Sequence, residues 1–349
     1  MVKQKYISPF DYNKETSTIL KGVAILMMVF LHLFNRDSQI ELYSSVCLIN
    51  GHPLAQCFAK ACNPVGLYLF LSGYGLFSSF KLKNYIGGGK KRILSLYLGL
   101  WATYIVFVPI CAWLVNDDRY PGSFMDAISN IFAYTCSWNH TTWFILPFAI
   151  IMMTCAAWFR MMKTTKQVWA VFASSFVLYY IVAVIYGRYW TQVYEMRFIL
   201  VLCRYFEQLC PFLFGAVICY FSEIKIPCRI SSEKTQISIL LLILLCFSYS
   251  TAKGIPYYPI YCGVLMLLFA NLKYSKRIAQ VLTLLGRHSM TIWLIHTYFC
   301  DELLRSFIYG FRYPLLIFVI EVLISTLAAI IIDKLFQPIK ARMLNLICK

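Results

Sequence analysis

The sequence predicts an all-α polytopic membrane protein of about ten transmembrane helices with both termini cytoplasmic, and three observations carry that prediction. Hydrophobic residues make up 60% of the 349-residue chain and charged residues 13%, about half the charged share of an ordinary soluble protein. Mean hydropathy is +0.67, and the apolar residues gather into runs near the length that a bilayer demands. With the N-terminus inside, 23 of the 32 Lys and Arg fall on the inner side and 9 on the outer, the asymmetry that the positive-inside rule expects. The net charge of +17 is therefore mainly topological, and no nucleic-acid partner follows from it.

Residues 1–17 hold Lys3, Lys5, Asp11, Lys14 and Glu15 and read as a polar cytoplasmic segment with no cleavable signal peptide. A transmembrane domain is expected over 18–337 and a cytoplasmic tail over 338–349. The predicted spans lie near 18–35, 64–80, 93–115, 143–159, 167–187, 198–221, 236–252, 256–272, 280–300 and 314–336. The first holds Lys21 near one end and His32 near the other. Their spacing puts them on nearly one helix face, roughly 16 Å apart along the axis. Either Lys21 snorkels to the interface and His32 bonds a neighbouring helix, or these ionisable residues mark a functional site.

In the second span Pro64 suits the first turn, and Gly66, Ser72, Gly73 and Gly75 are small. Small residues let membrane helices approach closely, and the same smallness leaves room for a ligand chain; the two readings share the residues. Residues 81–92 hold five cations around a triple glycine, ending Lys90, Lys91 and Arg92. That loop is a topology anchor touching anionic lipid, or a phosphate-binding loop at the start of the third helix. In the outer segment 116–142, Phe124, Ile128, Ile131 and Phe132 recur at helical spacing and predict a short helix lying in the interface. Asn139, His140 and Trp143 close it. Trp143 fits the aromatic belt, and His140 is a candidate sugar contact at the mouth of the bundle. A second outer loop is read over Arg188, Tyr189, Trp190, Tyr194, Glu195 and Arg197. Arg204 and Glu207 follow inside span six, three apart on one face, as a structural pair or a polar substrate chamber. Glu321, in the last span, is a carboxylate with no evident local partner.

Span nine places His288 near the cytoplasmic end and His296 two turns deeper on roughly the same side. The chain has only five His. Fourteen cysteines form no Cys-x-x-Cys pair and no zinc-type spacing, so no metal is predicted. Cys47, Cys57 and Cys62 share the first outer loop, where a disulfide has no supporting pattern.

Four stretches in order, Lys21-Gly22 to His32, the run 69–74 (Leu-Phe-Leu-Ser-Gly-Tyr), Lys91-Arg92 through Tyr97, and Leu285-Gly286 through Ser289 to Trp293 and His296, resemble the membrane-bound acyltransferase-3 family over about residues 15–337. Trp143-Phe144 is a fifth, weaker match. Lys21 stands where the family more usually has Arg, and Ser95 and Leu98 replace an Arg and a Pro common there. The chain resembles the stand-alone members, without a fused esterase-like domain.

The resemblance implies an acyltransferase of the cytoplasmic (inner) cell membrane. It implies transfer of an acyl group, commonly acetyl, from cytoplasmic acyl-CoA to a hydroxyl of a cell-surface or cell-wall glycan or a lipid-linked sugar. His32 is the expected general base, with a covalent acyl-His as the other route. Lys21, Lys90, Lys91 and Arg92 are expected at the CoA end, with the pantetheine arm passing Ser72 and Gly73. His296 is expected to orient the acceptor or stabilise the oxyanion, and Arg204, Glu207, His140 and Trp143 to bind the acceptor. A transporter or glycan exporter using the buried His and carboxylates as a proton relay is the rival class; no inverted repeat or broken-helix pair supports it. A non-catalytic membrane subunit is the third.

Overall fold

The computed structural model describes residues 6–7, 13–49, 51–83, 89–222, 226–227, 233–251 and 258–347. The centre of the expected phosphate-binding loop, 84–88, lies outside them. The described chain is helical: α1 (Lys14–Phe34), α2 (Leu54–Ala61), α3 (Pro64–Lys83), α4 (Gly89–Leu114), α5 (Phe124–Ile131), α6 (Ile145–Arg160), α7 (Thr165–Glu195), α8 (Arg197–Tyr220), α9 (Glu233–Thr251), α10 (Tyr258–Asn271), α11 (Lys276–Thr297), α12 (Arg305–Gly310) and α13 (Pro314–Ile347). Where they are described, the predicted spans lie mainly on these helices, span four starting in a 3-10 turn (His140–Phe144) and span nine ending in a π turn (Tyr298–Leu303). Among the described residues, seven helical segments are long and apolar enough to cross a membrane, on α1, α4, α6, α7, α8, α11 and α13.

Two boundaries differ from expectation. Residues 188–195, read as an outer loop, are helical: α7 continues to Glu195 through a kink at Tyr189 (φ −132°, ψ 27°), and only Met196 separates it from α8. The Tyr and Trp side chains there are amphipathic rather than helix-breaking, and no Pro or Gly pair stops the helix. Similarly, α13 runs to Ile347 through Pro338, so most of the expected tail is helix.

The chain divides into two compact units. One comprises Met1–Ala24, Asn63–Gly87 and Thr154–Gly286; the other comprises Ile25–Cys62, Gly88–Met153 and Arg287–Lys349. In the first, glycines work in reciprocal pairs. A Cβ on Gly73 of α3 would overlap the Phe212 carbonyl of α8, and one on Gly215 would overlap the Phe70 carbonyl. Gly22 of α1 meets the Leu282 carbonyl in the same way, and Gly286 of α11 meets the Thr18 carbonyl. These are backbone-to-backbone approaches, as small residues permit between membrane helices. The smallness of Gly73, expected to admit a ligand chain, is here taken up by α8. α7 packs on α8 through Val182, Val193, Leu200 and Cys203.

In the second unit α4 is the reference rod. Gly99 lies against Met290 and Leu294 of α11, while Phe107 stacks on Tyr298 at 4.7 Å. The segment after α4 contains the expected short helix, α5. It doubles back, and the Ile131 and Phe132 carbonyls accept from Trp101 Nε1 and Tyr97 OH, both at 3.0 Å. Backbone that leaves helical geometry needs such partners wherever water does not reach it. Tyr120 OH donates to the Trp138 carbonyl, Trp138 Nε1 to the Pro121 carbonyl, and Trp138 N–H to Asn130 Oδ1. Among the described residues no disulfide joins Cys47, Cys57 and Cys62.

The glycine pairs make a stability prediction. Gly73→Val should destabilise the protein by about 1–3 kcal/mol, the usual cost of overpacking, read as a lower unfolding midpoint in detergent. Gly75→Ala, whose new Cβ would meet nothing within 4 Å, should leave the midpoint unchanged or raise it. Equal effects would contradict the packing role.

Candidate active site

The second unit holds all five histidines, and three of them come together. His32 sits half-buried in the last turn of α1, and His296 is 0% exposed near the end of α11. His32 Nδ1 and His296 Nε2 are 2.7 Å apart. His296 Nδ1 faces the Ile292 and Trp293 carbonyls at 3.1 and 2.9 Å. Because Leu294 is level with Gly99 and Tyr298 with Phe107, the pair lies midway along the 26-residue α4.

His140 completes the group. Its ring stands edge-on to that of His32, with centroids 5.6 Å apart, and its side chain is 45% exposed. Arg36, one turn beyond His32, donates from Nη2 to His140 Nε2 at 2.6 Å and reaches Asp301 Oδ2 from Nη1 at 3.4 Å. Gln39, buried, holds this corner: its amide donates to the His32 carbonyl at 2.7 Å and accepts from Arg36 N–H at 3.1 Å. Asn139 ties the turn carrying His140 to α11. It donates to the Leu294 carbonyl at 2.7 Å, and its oxygen accepts from Thr141 Oγ1 at 2.6 Å and Thr297 Oγ1 at 3.3 Å.

Immediately after His296 the backbone widens into a π-helical turn, Tyr298–Leu303. Such turns are rare and recur at functional sites. This one presents Asp301 to Arg36 and Glu302 to Arg119, whose Nη2 lies 3.2 Å from both Glu302 oxygens. Arg119 also donates from Nε to Asp117 Oδ2 at 2.8 Å. That hydrogen bond holds the Asp117 carboxyl below its ordinary pKa. The result is a polar collar beyond the imidazoles, made of cations and carboxylates in alternation.

The other expected residues lie as follows. Trp143 is half-buried, its ring edge-on to Phe144 at 6.0 Å. Lys90, Lys91 and Arg92 are exposed in the first turn of α4. His288 is paired, not isolated: its Nδ1 lies 2.5 Å from Asp333 Oδ2, and Thr291 Oγ1 donates to Asp333 Oδ1 at 2.6 Å. Asp333 and Thr291 help line a cleft of about 200 Å³ shared by α4, α11 and α13, with Trp101, Gln337 and Lys340. Glu321 accepts from Ser325 Oγ at 2.6 Å, a partner one turn away. Lys21 is exposed, and its carbonyl accepts from Tyr68 OH. Lys21, Ser72, Gly73, Arg204 and Glu207 belong to the first unit, where Glu207 feels the Arg204 charge and hydrogen-bonds the Gln208 side chain.

Arg36, Gln39, Asp301 and Glu302 were not singled out from sequence. The signal for Arg36 was its place four residues after His32. For Asp301 and Glu302 it was an acidic pair at the very end of an apolar run.

A family model described as an acyltransferase domain (acyltransferase-3) matches residues 17–334. No curated protein and no solved structure matches the chain.

Asn139→Ala strips several partners from one buried node and should destabilise the protein by about 1–3 kcal/mol. Trp101→Phe removes one bond in a membrane setting and should cost about 0.6 kcal/mol. Thermal unfolding in detergent measures both; the reverse order would contradict the Asn139 hub.

Proposed function

The chain belongs to the acyltransferase-3 family, and we propose that this membrane acyltransferase moves an acyl group, acetyl in this reading, from cytoplasmic acyl-CoA to a hydroxyl of a cell-surface or cell-wall glycan or its lipid-linked precursor. In this reading the protein crosses the cytoplasmic membrane about ten times with both termini inside. The observation that carries it is the imidazole of His32, held at one nitrogen by His296 at 2.7 Å and midway along α4.

His32 Nε2 takes the proton of the acceptor hydroxyl as that oxygen attacks the thioester carbonyl carbon. The C–S bond breaks, and the departing thiolate takes the proton back from His32 Nε2. The products are an acyl ester and free CoA thiol, and His32 is neutral again. No serine nucleophile is needed. Lys90, Lys91 and Arg92 meet the CoA phosphates by charge, and the pantetheine arm lies in the cleft lined by Trp101, Thr291, Gln337 and Lys340. On the other side, Arg36, His140 and Trp143 meet the acceptor, with Asp301 and Glu302 fixing the two arginines.

Two experiments test this. In purified protein, His32→Ala should lower kcat by about 10²–10⁴ while insertion and accumulation stay normal; retained turnover would refute the base. Replacing Lys90, Lys91 and Arg92 together by Gln should raise the donor KM about tenfold or more, the effect of losing 1.4 kcal/mol, and leave the acceptor KM near its original value. Equal loss for both substrates would point to a topology defect instead.

A further inference from the structure

Resting on the reading of His32 as the base, we infer that His296 is a positioning residue that fixes the His32 tautomer and leaves the lone pair on His32 Nε2. The Ile292 and Trp293 carbonyls, 3.1 and 2.9 Å from His296 Nδ1, only accept, so Nδ1 carries the hydrogen. A neutral imidazole has one N–H, so His296 Nε2 is an acceptor. The atom 2.7 Å away is His32 Nδ1, which therefore donates. His32, also neutral, is left with its lone pair on Nε2, since the tautomer is set by the bond at the other nitrogen.

Both ring nitrogens of His296 are thus engaged, and it is 0% exposed. The roles expected from sequence, orienting the acceptor or stabilising an oxyanion, need a free nitrogen that this ring does not have. The arrangement also survives turnover. When Nε2 of His32 takes a proton, Nδ1–H keeps donating to His296, as the ring of a serine-enzyme triad keeps its bond to the carboxylate. A neutral imidazole does this without placing a further charge at membrane depth, where charges are costly. His140 is excluded as a second base at Nε2, because the Arg36 guanidinium only donates and occupies that lone pair at 2.6 Å.

The test uses the full chain in detergent or membranes, with four variants. His296→Gln keeps an acceptor oxygen near the place of Nε2; His296→Ala and His296→Leu do not, and Leu keeps the volume filled if Ala fails to accumulate. His32→Ala is the control. The expected result is that Gln keeps kcat within about tenfold, while Ala and Leu lose about a hundredfold, with both KM values nearly unchanged. Loss of kcat in Gln equal to that in Leu, a loss expressed in the acceptor KM, or full activity in Leu would overturn the positioning role. Activity retained in His32→Ala would sink the base reading itself; activity lost there but kept in His296→Leu would sink only this inference.

Discussion

The hydrogen bond between His32 and His296 is the contact around which the second unit is arranged. It requires α1 and α11 to bring two rings to 2.7 Å, near the ends of long apolar helices. Every other feature of the site either aims one of these rings or makes polar company for them tolerable. The two carbonyls behind His296 fix its hydrogen, and Gln39 ties the backbone of His32 to Arg36. Asn139 fastens the turn of His140 to α11. Within the first unit, α1 and α11 approach where Gly22 and Gly286 remove a side chain each.

A polar group away from water is expensive unless it is bonded, and the site meets that cost by local pairing rather than by burying isolated charge. Arg36 is shared between His140 and Asp301, and Arg119 between Asp117 and Glu302. The backbone after α4, which leaves helical geometry, is met by Tyr97, Trp101, Tyr120, Trp138 and Asn130. These residues look like a scattered aromatic belt in sequence. In three dimensions they are hydrogen-bond donors and acceptors for one segment that doubles back.

Much of the site was legible because it broke a local rule. His32 and His296 stood out as ionisable residues in apolar runs, and Lys90, Lys91 and Arg92 as a charge cluster at a helix start. What stayed hidden depends on partners far away in the chain. Asp301 matters through Arg36, some 265 positions earlier, and His288 through Asp333, 45 positions later. Nothing near either residue announces its partner. Gly73 was readable as either packing or room for a ligand, and only the facing Phe212 carbonyl distinguishes them. Helix ends failed for a simpler reason: residues 188–195 have a loop-like composition but no helix-breaking residue, so α7 continues.

In the proposed function, one half-buried imidazole joins a donor arriving from the basic face, taken as cytoplasmic, to an acceptor on the other. Sealed inside-out vesicles carrying the protein, given acetyl-CoA labelled in the acetyl group, should transfer label to an extractable glycan or lipid-linked sugar. Sealed right-side-out vesicles should show none until detergent opens them. Label in sealed right-side-out vesicles, matching the inside-out rate, would contradict the account.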